Sequence, residues 1–451
     1  MKTVNSDYRS IFQLRNLLDN KTISAVELAQ DTLSNIDKTN SIINSFVLVT
    51  ADLAIEQAKN ADKRLSSKEP KSPLDGIPLA VKDLYDTAGI TTAGGTLAYQ
   101  NRVPKKDAKV VGFLSQAGMI MIGKTNTHEL AFGMTTNNPH YGPTRNPWSL
   151  DRVPGGSSGG SGAALAAGQV PAALGTDTGG SVRNPAAFCG ITGHKPTYGL
   201  ISTEGIIPLS KTLDHAGPMA RSAYDCALML ESMLGPCVKQ SFTNQIEHSI
   251  SGLTLAIIPS LLENCETSVI NSFEESLKIL STLGIKITES EPNVKYTPNS
   301  IVRVEGATYV EDVLRNNSHL IGEEVRKSLL DGLDDSAHEY VRSLEGRAHL
   351  ELEFERTLHA GNIDGYIVPT CNQVAEIIGN QQKSIELKSR NTRVFNQSRQ
   401  PSISVPNGFD KDGMPTGLMI STKQHTDYLT LQIAHNFQKA SDFHLQTPLI
   451  G

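Results

Sequence analysis

The chain has 451 residues, 38% of them hydrophobic and 20% charged, which is ample material for a packed core that needs no disulfide or metal to fold. Its net charge of −6 and its lack of a Lys/Arg-rich run exclude a basic nucleic-acid-binding surface. There is no apolar run of 18 residues and no secretory signal, and the five cysteines form no CxxC pair. These observations predict a cytoplasmic globular protein with no membrane contact, in which the cysteines are buried free thiols.

Helical patterns dominate residues 1–65, the N-terminal segment. A capping box at Ser24 and Glu27 introduces apolar residues at helical spacing, and a second amphipathic stretch covers residues 51–64. From residue 76 onward, short apolar runs alternate with helical patterns. We predict strands at 77–81, 119–122 and 171–174, and helices at 107–117 and from 163.

The same alternation returns in the second half of the chain. It predicts strands at 255–258, 285–287, 366–368, 403–405 and 418–420, and helices at 268–283, over most of 300–359 and at 427–439. No internal repeat, low-complexity tract or long linker divides the sequence. The pattern therefore predicts an α/β fold, a sheet covered by helices, in a single large domain over residues 1–451.

Two motifs have both a functional and a structural interpretation. Residues 118–125 match the phosphate-binding pattern G-x-x-x-x-G-K-T, but their centre is itself a predicted strand and a helix precedes it, which favours a buried strand. Residues 156–160 match G-x-S-x-G with Ser158 as nucleophile, yet no strand pattern precedes the turn. At this second motif the minor alternative is a Ser-His-Asp hydrolase whose base is His215, His359 or His425.

Two loops rich in glycine and serine carry a stronger signal. G-G-S-S-G-G-S-G occupies residues 155–162, and G-T-D-T-G-G-S-V-R occupies residues 175–183. Such loops expose backbone N–H groups beside a serine hydroxyl, as acyl transfer requires, and an anion-binding nest is the competing interpretation. Lys82 follows the apolar run 77–81, where burial would lower its pKa toward that of a base. Taken alone, this lysine would more often pair with the adjacent Asp83. For Lys82 to act as a base instead, we predict that the Asp83 carboxylate points away from it.

These segments together resemble the amidase signature family. Residues 76–83, which read G-I-P-L-A-V-K-D, and the two loops match the three signature elements of that family. The flanking segments that agree as well are 123–126, 140–147, 185–190 and 195–197. The likeness is close over a signature core at 76–235 and looser toward the C-terminus.

The resemblance implies a mixed, many-stranded sheet covered by helices, with a Ser–cis-Ser–Lys triad. By position, Ser181 is the nucleophile, Ser157 is the bridging serine after a cis peptide bond, and Lys82 is the base. The resemblance implies no metal and no cofactor.

The same resemblance assigns the groups around the triad. Ser158 would hydrogen-bond within the triad region, and Asp177 and Arg183 would be scaffold rather than chemistry. The oxyanion hole would be formed by the backbone amides of Thr178, Gly179, Gly180 and Ser181.

The resulting hypothesis is an amidase that hydrolyses a linear carboxamide through a Ser181 acyl-enzyme. Its expected partner is a small-molecule amide substrate, with no nucleic acid, no membrane and at most a homodimer. Segments around 132–134 and 302–370 are expected to shape the substrate pocket.

Two other functions compete with this hypothesis. The glutamine-hydrolysing component of tRNA-dependent amidotransferases carries the same motifs within a heterotrimer, although residues 202–218 look more like those of stand-alone amidases. A non-catalytic binding protein of the same fold disagrees with the intact Lys82, Ser157 and Ser181.

Overall fold

A computed structural model describes residues 8–238, 240–293, 300–380 and 385–449 of the chain. In these ranges thirteen strands and fourteen helices alternate, as the α/β prediction requires. The strands are β1 (Phe46–Val49), β2 (Pro78–Lys82), β3 (Ile120–Thr125), β4 (Asn137–Asn138), β5 (Gly142–Pro143), β6 (Ala172–Asp177), β7 (Thr192–Lys195), β8 (His215–Ala220), β9 (Thr254–Ile257), β10 (Lys286–Glu289), β11 (Gly365–Pro369), β12 (Ser402–Phe409) and β13 (Pro415–Thr422).

Helices separate most of these strands in sequence and pack around the sheet. They are α1 (Ile11–Asp19), α2 (Ala25–Ile43), α3 (Ala51–Ser66), α4 (Lys109–Gln116), α5 (Gly159–Ala166), α6 (Arg183–Cys189), α7 (Ala223–Met233), α8 (Thr267–Thr282), α9 (Ser300–Tyr309), α10 (Glu311–Asn317), α11 (Glu323–Asp334), α12 (Ala337–Ala360), α13 (Ile385–Gln397) and α14 (Asp427–Lys439). The capping box predicted at the start of α2 is present, because Ser24 Oγ accepts the Glu27 N–H and the Glu27 carboxylate accepts the Ser24 N–H.

Eleven of the described strands form one sheet in the order β1-β3-β2-β6-β8-β7-β12-β13-β11-β9-β10. β2 runs parallel to both β3 and β6, β9 runs parallel to β10 and β11, and the strands between β6 and β11 pair antiparallel. The mixed sheet covered by helices that the resemblance implied is therefore confirmed. β4 and β5 form a separate short ladder.

The strands at the centre of the sheet are buried along their whole length rather than at alternate residues. All five residues of β2 and all six of β6 are buried, as expected for parallel neighbours with helices on both faces. In the register of these strands Lys82 lies opposite Thr125 of β3, and Val81 lies opposite Leu174 of β6. The carboxyl ends of β2, β3 and β6 therefore meet at one edge of the sheet, and the loops after them meet there too.

Five strands were not predicted from the sequence: the short β4 and β5, and three strands of the large sheet. β1 joins the sheet from within the N-terminal segment, and β7 and β8 lie between β6 and β12. β8 has the sequence H-A-G-P-M-A, and glycine and proline are depleted in strands, so only its buried position between two neighbours stabilises it there.

The cysteine prediction is confirmed in part. All five cysteines are free thiols, and Cys189, Cys226 and Cys371 are buried. The expectation of burial is wrong for Cys237, which is exposed, and for Cys265, which is half-buried, because both lie in surface loops beside α7 and α8. No helix within the described ranges is both long and apolar enough to cross a membrane.

Candidate active site

Lys82 is the last residue of β2, and its side chain is fully buried. Its Nζ lies 2.8 Å from each of three hydroxyl oxygens, Ser157 Oγ, Ser158 Oγ and Thr176 Oγ1. Burial lowers the pKa of Lys82 well below its usual value, although the carboxylates of Asp177 and Asp214 act in the opposite direction. The environment therefore favours the neutral amine.

Asp83 was predicted to point away from Lys82, and it does. Its carboxylate accepts the Ala93 N–H at 3.2 Å and lies 3.9 Å from the Nζ of Lys124, the buried lysine of β3. The ion-pair interpretation of Lys82 is thus excluded, because the adjacent carboxylate is engaged by a different lysine.

The loop that carries Ser157 and Ser158 is held in one conformation by its neighbours. The Gly156–Ser157 peptide bond is cis, as the resemblance implied. The Ser157 carbonyl accepts hydrogen bonds from Thr127 Oγ1 at 3.0 Å and from the His128 N–H at 3.1 Å. A Cβ on Gly156 would approach the Thr135 nitrogen to 2.6 Å, so this position requires glycine.

Ser181 follows the second loop and is 7% exposed, at the wall of a cavity. Within the described residues its hydroxyl has no hydrogen-bond partner, and the amides of Thr178, Gly179 and Ser181 have no acceptor. The Gly180 amide differs from these three because it donates to Asp177 Oδ1 at 2.8 Å. Three of the four amides predicted for the oxyanion hole are therefore available in this conformation.

A buried ion pair lies behind the second loop. Arg183 Nη2 contacts Asp177 Oδ1 at 2.9 Å, and both side chains are fully buried. The Arg183 guanidinium holds the pKa of Asp177 below its usual range against the opposing effect of burial. Arg183 Nη1 also donates to the carbonyl of Thr392, whose Oγ1 donates to the Gly179 carbonyl at 2.7 Å. These contacts agree with the scaffold role expected for Asp177 and Arg183.

Two of the groups in this site were missed by the sequence analysis. Thr176 supplies the third hydroxyl around Lys82, and the signal available was its place inside the motif at 175–183. Thr392 reaches Gly179 from a helix more than two hundred residues further along the chain, so no local pattern could have indicated it.

The cavity beside Ser181 has a volume of about 190 Å³. Its lining includes Thr178, Gly179 and Ser181 from the second loop and residues from both segments expected to shape the pocket, among them Phe132, Gly133, Met134, Val302 and Arg303. α13 adds Ser389, Arg393 and Gln397, which the sequence analysis did not assign to the pocket.

The phosphate-binding pattern at 118–125 and the G-x-S-x-G pattern at 156–160 both have the structural role rather than the functional one. Residues 120–125 of the phosphate-binding pattern are β3, whose residues are all buried, with α4 before it. No strand of the sheet directly precedes Ser158 in the described chain, and its hydrogen-bonding partners are Lys82 and Thr176 rather than a histidine. The Ser-His-Asp alternative is therefore excluded.

Curated relatives resemble the chain over nearly its whole length. One, from Chromohalobacter salexigens and named as a component of glutamyl-tRNA(Gln) amidotransferase, is 36% identical and covers 95% of this chain and 96% of its own. A relative of the same name from Carboxydothermus hydrogenoformans is 34% identical over 98% of this chain and 99% of its own. The expectation that the partners are limited to a small-molecule substrate and at most a second copy is wrong, because relatives named as components of a larger enzyme point to protein partners.

Solved structures agree with this similarity. A glutamyl-tRNA(Gln) amidotransferase component from Thermotoga maritima is 30% identical, with a TM-score of 0.84 over 100% of both chains. A crystal structure described as an amidase is also 30% identical, with a TM-score of 0.88 over 96% of this chain and 99% of that one. The family model described as Amidase matches residues 27–431. The chain belongs to the amidase signature family.

Proposed function

We propose that the chain hydrolyses a carboxamide through an acyl-enzyme on Ser181. The observation that carries this proposal is the buried Lys82 amine, 2.8 Å from Ser157 Oγ, beside the cavity that Ser181 lines. A serine nucleophile needs a base, and an amine whose pKa is lowered by burial can serve as one near neutral pH.

The protons around Lys82 are consistent with that role. A neutral amine has two N–H groups and one lone pair. The Ser158 hydroxyl proton points to the Thr176 carbonyl at 3.2 Å, so the contact between Ser158 and Lys82 must use a lysine N–H. The Ser157 hydroxyl has no other acceptor in the described residues and can donate to the lone pair. This arrangement supports the transfer of a proton from Ser157 to Lys82.

The proposed reaction has two halves. Ser181 Oγ attacks the amide carbonyl carbon while its proton passes to Ser157, whose own proton passes to Lys82. The amides of Thr178, Gly179 and Ser181 stabilise the oxyanion. The C–N bond breaks as the proton returns through Ser157 to the leaving nitrogen, which departs as ammonia or an amine. Water then adds to the acyl-enzyme through the same relay, releasing the carboxylate and restoring Ser181.

Covalent labelling tests the nucleophile directly. A serine-directed fluorophosphonate should add once, and peptide mass spectrometry should place the adduct on the peptide that contains residues 175–183. Ser181→Ala should remove the adduct, whereas Ser158→Ala should keep it on Ser181. An adduct on Ser158 would contradict the proposed role of Ser181.

A second candidate places the same chemistry in an amidotransferase. The relatives named as amidotransferase components support a glutamine-hydrolysing chain that works with protein partners, more than the free-standing amidase suggested by residues 202–218. On this hypothesis glutamine is the amide and ammonia is passed on rather than released.

A free-standing amidase and an amidotransferase component should differ in the amides that the isolated chain hydrolyses. Ammonia release should be measured with the purified chain on glutamine and on simple aliphatic amides, and again after co-expression with the other amidotransferase components of its source. Glutamine hydrolysis that is stimulated by stable association with these components supports the second candidate. Faster turnover of aliphatic amides, with no association, contradicts it and supports a free-standing amidase.

A further inference from the structure

His215 is a buried histidine that lies behind the second loop, at the first position of β8. In the antiparallel register it lies directly opposite Asp177, the last residue of β6. Its ring packs edge-on against Tyr198, with the ring centroids 5.5 Å apart. In the described structure His215 does not line the cavity beside Ser181, so any effect on the reaction passes through its neighbours.

The contacts of the ring fix its protonation state. His215 Nδ1 lies 2.6 Å from the Leu213 carbonyl oxygen and 3.0 Å from the Asp177 carbonyl oxygen. Both oxygens are acceptors, so Nδ1 must have the proton. Burial and the nearby charge of Lys195 lower the pKa of His215 well below its usual value, which keeps the ring neutral. Nε2 then has a lone pair, and it faces Lys195 Nζ at 3.4 Å.

The carbonyl that accepts the Nδ1 proton belongs to the same peptide unit as the Thr178 amide. The Asp177–Thr178 bond is trans, so its C=O and its N–H point in opposite directions. Asn396 Nδ2 also donates to the Asp177 carbonyl, at 3.2 Å. Two donors on the carbonyl side therefore direct the Thr178 N–H to the other side, and Thr178 lines the cavity there.

The amides that are available for the oxyanion hole differ in how their peptide units are held. The Ser181 amide shares a peptide unit with the Gly180 carbonyl, which accepts the Asn184 N–H at 2.7 Å. That bond lies within the main chain and does not depend on a side chain. The Thr178 unit, in contrast, is held by side chains. A hydrogen bond to its carbonyl also polarises the peptide and strengthens its N–H as a donor.

We propose that His215 is a positioning residue for the oxyanion hole, whose Nδ1–H orients and polarises the Asp177–Thr178 peptide so that the Thr178 N–H meets the oxyanion. This inference rests on the proposed amide hydrolysis at Ser181 and adds a residue to its machinery. The role is not that of a general base, because Nδ1 keeps its proton throughout the reaction.

Two amide side chains separate the hydrogen bond from mere burial. Asparagine has its Nδ2 at the position of histidine Nδ1, whereas glutamine has its amide one bond further, near the position of Nε2. His215→Asn should therefore keep at least about a third of the parent kcat, since the donor remains. His215→Gln and His215→Leu should lower kcat about five- to fiftyfold, less than the ~10²–10³-fold cost of losing a whole oxyanion donor, because Asn396 still holds the carbonyl.

The substrate for these measurements is glutamine or the simple aliphatic amide that the full-length chain hydrolyses fastest. KM should change by less than about threefold in all three variants, because the Thr178 N–H bonds most strongly to the oxyanion and not to the ground-state carbonyl. A general loosening of the fold would instead raise KM together with the fall in kcat.

His194 provides the matched control. It is a buried histidine of β7 whose Nε2 lies 3.2 Å from the Asp427 carboxylate, and among the described residues its side chain makes no hydrogen bond to the loop at 175–183. His194→Leu should lower the unfolding temperature at least as much as His215→Leu, because it leaves a buried carboxylate without this partner. Its kcat per folded molecule should stay within about twofold of the parent value. If a leucine variant does not fold, the comparison of His215→Asn with His215→Gln decides alone.

The fluorophosphonate gives the same comparison without amide turnover. Ser181 Oγ attacks phosphorus, its proton passes to the Ser157–Lys82 relay, fluoride leaves, and negative charge develops on the phosphoryl oxygen, which the same amides stabilise. The second-order rate constant of labelling should therefore fall in His215→Gln and be largely restored in His215→Asn.

Failure of the proposed function and failure of this inference give different patterns. If the parent hydrolyses no amide and Ser181 stays unlabelled, hydrolysis at Ser181 is wrong, and the role of His215 is wrong with it. If the parent is labelled but hydrolyses none of the amides, the labelling rates decide alone. If the parent is active or labelled, the role of His215 alone is overturned by any of three results: His215→Gln matches the parent, His215→Asn loses as much as His215→Gln, or His194→Leu shows an equal loss.

Discussion

Two buried lysines, Lys82 and Lys124, lie at the ends of neighbouring parallel strands and have opposite surroundings. Both side chains are fully buried, and their strands β2 and β3 pair so that Lys124 lies opposite Val81. Among the described residues, Lys82 contacts three hydroxyls and no carboxylate. Lys124 contacts Asp83 at 3.9 Å, the hydroxyls of Thr87 and Thr92, and the Tyr85 carbonyl.

The difference in partners separates a proposed base from a structural cation. Burial lowers the pKa of Lys124 only to about 8, because the Asp83 carboxylate opposes the effect of burial. In the part of the chain that the structure describes, no carboxylate contacts Lys82, and the more distant Asp177 and Asp214 oppose the effect of burial on its pKa only in part. Burial of both lysines therefore does not by itself explain their difference. The carboxylate in contact with the Lys124 amine favours its charged form, and the Lys82 amine lacks such a contact among the described residues.

The largest expected effect is on catalysis at Lys82. Lys82→Met keeps most of the side-chain volume but removes the proposed base, so kcat/KM should fall by about 10²–10⁴-fold. The double variant with Ser181→Ala should lose little more than Ser181→Ala alone, because members of a catalytic unit are not additive. Steady-state amide hydrolysis measures both effects. A folded Lys82→Met protein that keeps more than about a tenth of the parent rate would remove Lys82 from the relay.

Lys124→Met should instead act on stability. It leaves the buried Asp83 carboxylate without its cation, which should lower the free energy of unfolding by about 3–5 kcal/mol. Burial raises the pKa of Asp83 to about 6, and loss of Lys124 should raise it further. A raised folded pKa means that stability is lost as pH rises, so the cost should be larger at pH 8 than at pH 5.

Denaturant unfolding of the two variants at both pH values checks this contrast. Lys82→Met removes a neutral amine and leaves only hydroxyls without a donor, at a cost of about 1–3 kcal/mol. Equal destabilisation by both substitutions, with no dependence on pH, would mean that the two lysines do not differ in charge.

The comparison also shows which parts of the site the sequence could predict. Lys82, Ser157 and Ser181 lie in motifs that are long and local, and around Ser157 a Cβ on Gly155, Gly156 or Gly160 would meet backbone atoms within 3.0 Å. The burial of Lys82 followed from its place after the apolar run 77–81. The sequence predicted that the Asp83 carboxylate points away from Lys82. Its pairing with Lys124 could not be predicted, because it depends on the register between β2 and β3.

Contacts between distant segments account for what was missed. Thr392 and Arg393 reach the site from α13, a helix that the sequence analysis did not predict. The Gly180 amide was predicted for the oxyanion hole, and only the placement of Asp177 shows that it has another acceptor. β8 was missed because it contains glycine and proline, which are depleted in strands. Its position between two other strands of the sheet stabilises it, and that position depends on tertiary contacts that a local pattern does not show.

The pH dependence of activity should follow Lys82 and not Lys124. The relay needs a neutral Lys82, so kcat/KM should rise with pH until the Lys82 pKa is passed, falling about tenfold per pH unit below it. Because burial lowers this pKa, the rise should end well below the usual range for lysine. Lys124→Met should leave the profile in place. A profile that moves in Lys124→Met would mean that the titrating group is the Lys124–Asp83 pair.

The smallest expected effect concerns the threonine hydroxyls that contact each lysine. Thr176→Val preserves shape but removes one of the three contacts that fix the Lys82 amine, so kcat/KM should fall about two- to tenfold, the worth of one net hydrogen bond. Thr176→Ser keeps the hydroxyl and should retain most of the activity.

Thr92→Val removes a hydroxyl 2.9 Å from Lys124 and is the matched control, because it should lower stability while leaving kcat/KM per folded molecule unchanged. Steady-state kinetics and thermal unfolding of the three variants give both readouts. If Thr92→Val lowers kcat/KM as much as Thr176→Val does, the hydroxyls around Lys82 have no special part in positioning the base, and the contrast between the two lysines rests on Asp83 alone.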